Sequence, residues 1–420
     1  MKRAGLIVTI VFGLLALVGG FAATTVALDI TQPAISGSHV TVNFTVNKGD
    51  TTAAVAANLA HDGLIRNSTL FRVWARYRHL DRGIEPGVYK LSPSMTMDAI
   101  IKDLQKGKPD VILVQVMDSS RVEQYPAYFS GLKNFNAANF LKIAKSGKLV
   151  SNGQALSSVY WYVMPQKPHT INALEGYLYP DTYSMDAKAN EEDAINTMLR
   201  AFGEKLCPGP TSAPDAYILD QTQCKAHAVT VGDKTQVSIF TALEQKYNTK
   251  DDRQALYDAL TIGSIVTRET PNFDPSSGDT QGIANVYYNR YLIASNQWPS
   301  TLQQDVGTLL GSDPTVQYAQ ATENPPKDGS KWWPNINSSD PKTVAADSQY
   351  NTYVNSGLPP GPIAAPVWVV LAASADPNPD GQTQNLYFLN DTCKDHHTHY
   401  ATNSNDFETL KTKYLVQKQC

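Results

Sequence analysis

The stretch that most constrains this chain runs from Leu256 to Thr270, where helical spacing puts Ile262, Ile265 and Val266 on an apolar stripe that also carries Glu269. At about 100° per residue, Glu269 lies within about 20° of Ile262 and one turn beyond Ile265. The carboxylate therefore points where the hydrophobic side chains point. A helix of this kind belongs in a core, and desolvation there keeps an acid partly protonated near neutral pH. That is the state a general acid needs. A helix-end glutamate at the rim of the core, without chemistry, accounts for the same pattern.

With 420 residues the chain has room for about two or three domains, and its 42% hydrophobic content supports a real core. Thirty-five basic against 39 acidic residues give a net charge of -4. No lysine-arginine cluster tracks a phosphate backbone, so no nucleic-acid partner is expected.

Lys2 and Arg3 precede Ala4 to Leu28, a stretch without a charged residue. A helix of that length crosses a hydrocarbon core of about 30 Å. The positive-inside rule then predicts a cytoplasmic N-terminus and an extracytoplasmic body after Asp29. A cleaved leader with its processing site near Ala22 and Ala23 is the alternative, and length favours the anchor. Four cysteines fit an exported body. They allow three pairings, of which Cys207 with Cys224 and Cys393 with Cys420 are expected, one stapling a Pro-rich loop and one tethering a tail. No Cys/His cluster suggests zinc, and no metal or cofactor is expected.

Residues 40–116 read as a small α+β unit. Val40 to Val46 alternates as a half-buried strand, Lys48-Gly49-Asp50 turns into a threonine-capped helix, a second helix spans Ser68 to Arg78, Gly87 to Leu91 returns as a strand, and Met95 to Lys106 is helical. Val111 to Val116 is a further strand. The strand, turn and helix pair resemble LysM modules, which bind glycan chains, although a ligand-free β-α-α-β unit reads the same way. In the segment that follows, the aromatic set Tyr160-Trp161-Tyr162 suits either sugar stacking or core packing.

Two loops stand out. Leu174 to Tyr183 (LEGYLYPDTY) gathers two carboxylates, three tyrosines, a glycine and a proline into ten residues, which suits a rigid loop lining a polar, sugar-like ligand or an ordered turn whose tyrosines pack. Tyr350 to Ile363 (YNTYVNSGLPPGPI) carries two consecutive prolines between glycines, a stiff backbone built for shape.

Taken in order, LEGYLYPDTY, SIVTRE, YYNRYL, SDPTVQYA, YNTYVNSGLPPGPIAAP, LYFLND and HYATN resemble the membrane-bound endolytic murein transglycosylases, the MltG or YceG-like family, over nearly the whole chain. The resemblance implies an α+β fold with one N-terminal transmembrane helix, a small LysM-like subdomain and a larger α+β catalytic domain. Its boundaries fall at 1–28 for the anchor, 29–39 for a linker, 40–116 for the LysM-like unit, 117–168 for a connecting segment and 169–420 for the catalytic domain. It implies cleavage of the β-1,4 bond between N-acetylmuramic acid and N-acetylglucosamine in peptidoglycan glycan strands, beside cell-wall synthases in the membrane, with Glu269 catalytic. Around it, Glu175, Tyr177, Asp181, Thr182, Tyr183, Asn289, Gln303, Asp313, Asn351, Thr352, Leu358 and Pro359 are expected to hold substrate. The chain departs from the family in three ways. Thr267 stands where many relatives have an acid, Gln304 to Ser312 separate Leu302-Gln303 from Asp313-Pro314-Thr315-Val316, and 208–233 and 324–342 read as insertions, the second with Trp332 and Trp333.

Overall fold

The structure is a computed structural model that describes residues 32–36, 41–46, 49–78, 84, 87–105, 111–207, 218–226, 229–231, 234–236, 239–247, 249–271, 273, 277–297, 303–327, 329, 331–336, 340–377, 384–391 and 397–418. The expected membrane anchor, Cys393 and Cys420 lie outside these residues. Among the described residues no helix is long and apolar enough to cross a membrane.

The first unit forms as its alternation predicts. Strand β1 (Val42–Val46) buries Val42, Phe44 and Val46 and pairs antiparallel with β2 (Gly87–Leu91), Phe44 opposite Tyr89. Helix α1 (Thr52–His61) starts where the Thr51 hydroxyl accepts the Ala54 N–H at 3.1 Å, and α2 (Ser68–Tyr77) where Asn67 accepts that of Leu70 at 3.0 Å. With α3 (Met97–Gln105) they close a separate small core around Leu59, Phe71, Leu91, Ile100 and Leu104.

Strand β3 (Val111–Gln115), grouped with this unit by sequence, pairs instead with β4 (Thr182–Asp186), Val114 opposite Tyr183. Val114 and Val116 join the large core, so the strand belongs to the larger body. Residues 117–168 share that core too. Phe140 of α4 (Ala137–Ser146) and the pair Tyr160 and Tyr162 sit in one cluster with Ile262. Tyr160 and Tyr162 are buried and donate to Asn196 Oδ1 and the Leu199 carbonyl, while Trp161 Nε1 donates to the Ile218 carbonyl. The trio is core packing, not a sugar platform. Helix α5 (Glu191–Leu206) ends at Cys207, which is disulfide-bonded to Cys224 of α6 (Gln221–Ala226), as expected for that pair. A bridge enclosing 17 residues of separation contributes roughly 3 kcal/mol by constraining the unfolded chain.

The central element is α8 (Asp252–Glu269), which follows α7 (Ile239–Lys246) and is capped by Asp251 accepting the Arg253 and Gln254 N–H groups. Its second half, from Ala259 to Thr267, is buried on every side. It packs against α7, α9 (Asp279–Ala294), α10 (Asp313–Glu323) and α11 (Trp368–Ala375). The helix stops at Glu269 because Thr270 precedes Pro271, and a residue before proline is driven to extended backbone, here φ -76 and ψ 122. The hairpin β5 (Tyr387–Asn390) and β6 (Thr398–Ala401) rests on α9, where a Cβ on Gly282 would overlap the Tyr400 ring. Helix α12 (Ser404–Lys411) follows the hairpin.

Candidate active site

Glu269 ends its helix at the floor of an open cleft of about 510 Å³, with Tyr287 and Arg290 from α9, Asp313 from the start of α10, Tyr353, and Phe388 and Asn390 from β5 around it. Tyr287 donates to Glu269 Oε1 at 2.9 Å, and the Ser312 hydroxyl reaches the same oxygen at 3.4 Å. Among the described residues no hydrogen bond reaches Oε2. Asn390 Nδ2 donates to the Glu269 carbonyl at 3.1 Å, tying the end of the helix to the hairpin.

Desolvation pushes the Glu269 carboxyl up to about 7, with the negative charge of Asp313 adding to it. The Tyr287 and Ser312 hydroxyls and the positive charge of Arg290 pull the other way without cancelling the burial. The result is an acid present in both protonation states at neutral pH, set in a site open enough to admit a ligand. Asp313 accepts from the Tyr353 hydroxyl at 2.7 Å, which holds a second carboxylate on the same wall.

The profile of the YceG-like family matches residues 44–413. This chain belongs to the YceG-like family. An endolytic murein transglycosylase of Streptococcus pneumoniae (serotype 2, strain D39) is 24% identical over 430 residues, covering 99% of this chain and 66% of the relative. The endolytic murein transglycosylase of Bacillus subtilis (strain 168) is 24% identical over 373 residues, covering 86% and 82%. The chain thus spans about two thirds of the pneumococcal relative's length. A solved YceG-like protein from Listeria monocytogenes superposes over 88% of this chain and 99% of its own at a TM-score of 0.46, with 23% identity.

The motifs that mark the YceG-like family divide into those that reach the cleft and those that build it. Asp313 lines it beside Glu269. Gln303 opens the single helical turn 303–306, whose Asp305 and Val306 also line it. Thr352 is buried one layer behind, accepting the Ser312 N–H at 3.0 Å and bonding the Thr315 hydroxyl at 2.8 Å, so it holds Ser312 toward Glu269. Asn351 donates to the Pro341 and Val344 carbonyls and accepts the Tyr353 N–H at 2.9 Å, bracing Tyr353. Asn289 is buried on the far face of α9, donating to Asn285 Oδ1 and to the Asn385 carbonyl.

The 174–183 loop turns inward, which corrects its reading as a ligand wall. Glu175 accepts the Val122 N–H, the Asn172 side-chain amide and the Tyr318 hydroxyl. Tyr177 and Tyr183 are buried; the Tyr177 hydroxyl accepts the Met164 N–H at 3.1 Å, and the Tyr183 hydroxyl donates to the Tyr179 carbonyl. Asp181 and Thr182 are exposed at a different hollow, shared with Thr41, Thr45 and Asp62 of the first unit. The 350–363 loop is the partner of this one. Gly176 sits at φ +84, where a Cβ would press on Pro362, the Pro360 carbonyl accepts from Tyr257 at 2.9 Å, and Ile363 N–H donates to Ser264. Leu358 is half-buried and Pro359 buried in the same packing. Both loops therefore clamp the helix that ends in Glu269. Trp332 and Trp333 stack on Arg121 and Arg268, the latter at 4.1 Å, anchoring the second insertion.

Tyr287, Ser312, Arg290 and Asn390 were absent from the expected site. Tyr287 and Asn390 lie inside the motifs YYNRYL and LYFLND, and helical phase separates Tyr287 from Asn289 by about 200°, which puts only one of the two toward Glu269.

Proposed function

We propose that this protein is a peptidoglycan lytic transglycosylase that cuts the β-1,4 bond between N-acetylmuramic acid and N-acetylglucosamine inside glycan strands and leaves a 1,6-anhydro end. The observation that carries this reading is the single carboxyl group of Glu269, pushed up to about 7 at the floor of an open cleft, with Tyr287 engaging one oxygen and leaving the other for proton transfer. The names of the pneumococcal and Bacillus relatives support it.

In this mechanism protonated Glu269 donates to the leaving glycosidic oxygen as the bond to C1 of the muramic acid breaks. The carboxylate then takes the proton of the C6 hydroxyl, whose oxygen closes on C1. Glu269 ends as it began, protonated, and no water is consumed. Asp313, held by Tyr353, faces the positive charge that develops at C1. Residues 4–28 anchor the protein in the membrane with the body outside, where it meets strands emerging from the cell-wall synthases.

The presence of Asp313 in the cleft favours one competing reading, a hydrolase using two carboxylates and water. Mass spectrometry of products from uncrosslinked glycan strands separates the two. Ends lighter by one water than a reducing sugar are expected, and reducing ends alone would establish the hydrolase.

A further inference from the structure

We propose that the exposed face of α2 docks on the anionic phospholipid surface of the membrane that holds residues 4–28, an inference that rests on the anchor reading above. A groove of about 500 Å³ between α1 and α2 is lined by Thr51, Thr52, Thr69, Arg72, Val73 and Arg76, with Ala53 as its remaining wall. None of these is acidic. Thr69, Arg72, Val73 and Arg76 follow the i, i+3, i+4, i+7 spacing of one helix face. On that face Val73 is 62% exposed, and one turn on, Tyr77 is 69% exposed with its ring stacked on Trp74. Apolar side chains flanked by arginines suit the boundary between lipid headgroups and acyl chains, the guanidinium groups meeting phosphate and the tyrosine ring lying between oil and water.

The path of the chain brings this face to the bilayer. Arg66, two residues before α2, donates to the carbonyls of Pro33 and Ala34, and Ile35 N–H donates to the Pro93 carbonyl. The chain is thus fastened to the first unit at Pro33, Ala34 and Ile35. From Leu28, the end of the charge-free stretch, to Pro33 is five residues, at most about 18 Å of extended chain. The attachment is at the N-terminal end of α2, and its 10 residues extend only about 15 Å beyond it. Two apolar side chains and two arginines bind a vesicle weakly in free solution. Tethered within so short a reach, the same patch faces lipid at high effective concentration.

The test uses the full chain incorporated into vesicles, with a benzophenone amino acid at position 73 and, separately, at Val416, an exposed residue of the larger body. On illumination, position 73 should form phospholipid adducts about fivefold more in vesicles containing phosphatidylglycerol than in phosphatidylcholine alone. Val416 should give background in both. Arg72→Glu with Arg76→Glu should bring position 73 to background while leaving the circular dichroism unchanged, since both side chains are exposed. Background adducts at position 73 in protein that resists carbonate extraction overturn the docking and leave the anchor standing. Loss of carbonate resistance overturns both, and adducts formed with added glycan strands instead of phospholipid assign the groove to the wall polymer and overturn the proposal.

Discussion

Glu269 and Glu175 are two carboxyls raised by the same force to different ends. Burial pushes Glu269 up to about 7 and Glu175 up to about 8. Glu175 is 1% exposed and bonded from three sides, by the Val122 N–H, the Asn172 amide and the Tyr318 hydroxyl, next to an Arg121–Glu123 ion pair at 2.7 Å. It joins residues 121–123, 172–175 and 318 into one knot, and it has no route to a ligand. Glu269 is bonded from one side and opens on a cleft. A perturbed acid marks a site only when its second oxygen has somewhere to send a proton.

The largest effect that separates the two is on turnover. Glu269→Gln keeps the size of the side chain and cannot exchange a proton, so formation of anhydro ends should fall about 10³- to 10⁴-fold, measured by product mass. Its stability should not fall. A carboxyl whose folded pKa is raised contributes stability that is present below the unfolded value near 4.5 and is lost as pH rises toward 7, so at pH 8 the wild type carries a cost that glutamine lacks. For a half-buried group that difference is about 1 kcal/mol in favour of the variant by denaturant melts. A variant that kept near wild-type turnover would erase the distinction between the two glutamates.

Glu175→Ala should do the opposite. It strands the Val122 N–H and the Tyr318 hydroxyl inside the core and leaves the Arg121–Glu123 pair without its neighbour, at a cost of about 2 to 4 kcal/mol in chemical denaturation. Turnover per folded molecule should stay within about threefold of wild type. An undiminished midpoint together with lost turnover would move Glu175 into the chemistry.

A third effect is the pH profile. In the proposed mechanism the free enzyme needs protonated Glu269, so kcat/KM should be level below about 7 and fall about tenfold per unit above it. A profile that stays level to pH 9 would show that another group donates the proton.

The contrast also explains what was legible in the sequence. Strands at 42–46 and 87–91, the threonine-capped helix after Lys48-Gly49-Asp50, the helix from Ser68 and the helix ending in Glu269 rest on local patterns, and they appear where those patterns put them. The inward turn of Glu175 was not legible, because the groups that satisfy it come from Val122, 53 residues earlier, and Tyr318, 143 later. A polar, aromatic loop looks alike whether it lines a ligand or locks a core. Strand β3 was assigned to its sequence neighbour for the same reason, since its partner at 182–186 lies beyond the helices between them.

The smallest effect tests whether Tyr287 positions Glu269 or merely packs beside it. Its hydroxyl favours the charged form of the carboxyl, so Tyr287→Phe should raise the Glu269 pKa and move the alkaline limb of kcat/KM upward by less than about one pH unit. At pH 6, where the acid is protonated in both proteins, kcat should fall only about three- to tenfold, the loss expected from a freer carboxyl rotamer. A structural role alone predicts lower stability with an unmoved limb. A moved limb with an unchanged melt assigns the tyrosine to tuning the acid, the task for which Glu175 has a full set of partners and no cleft to use it in.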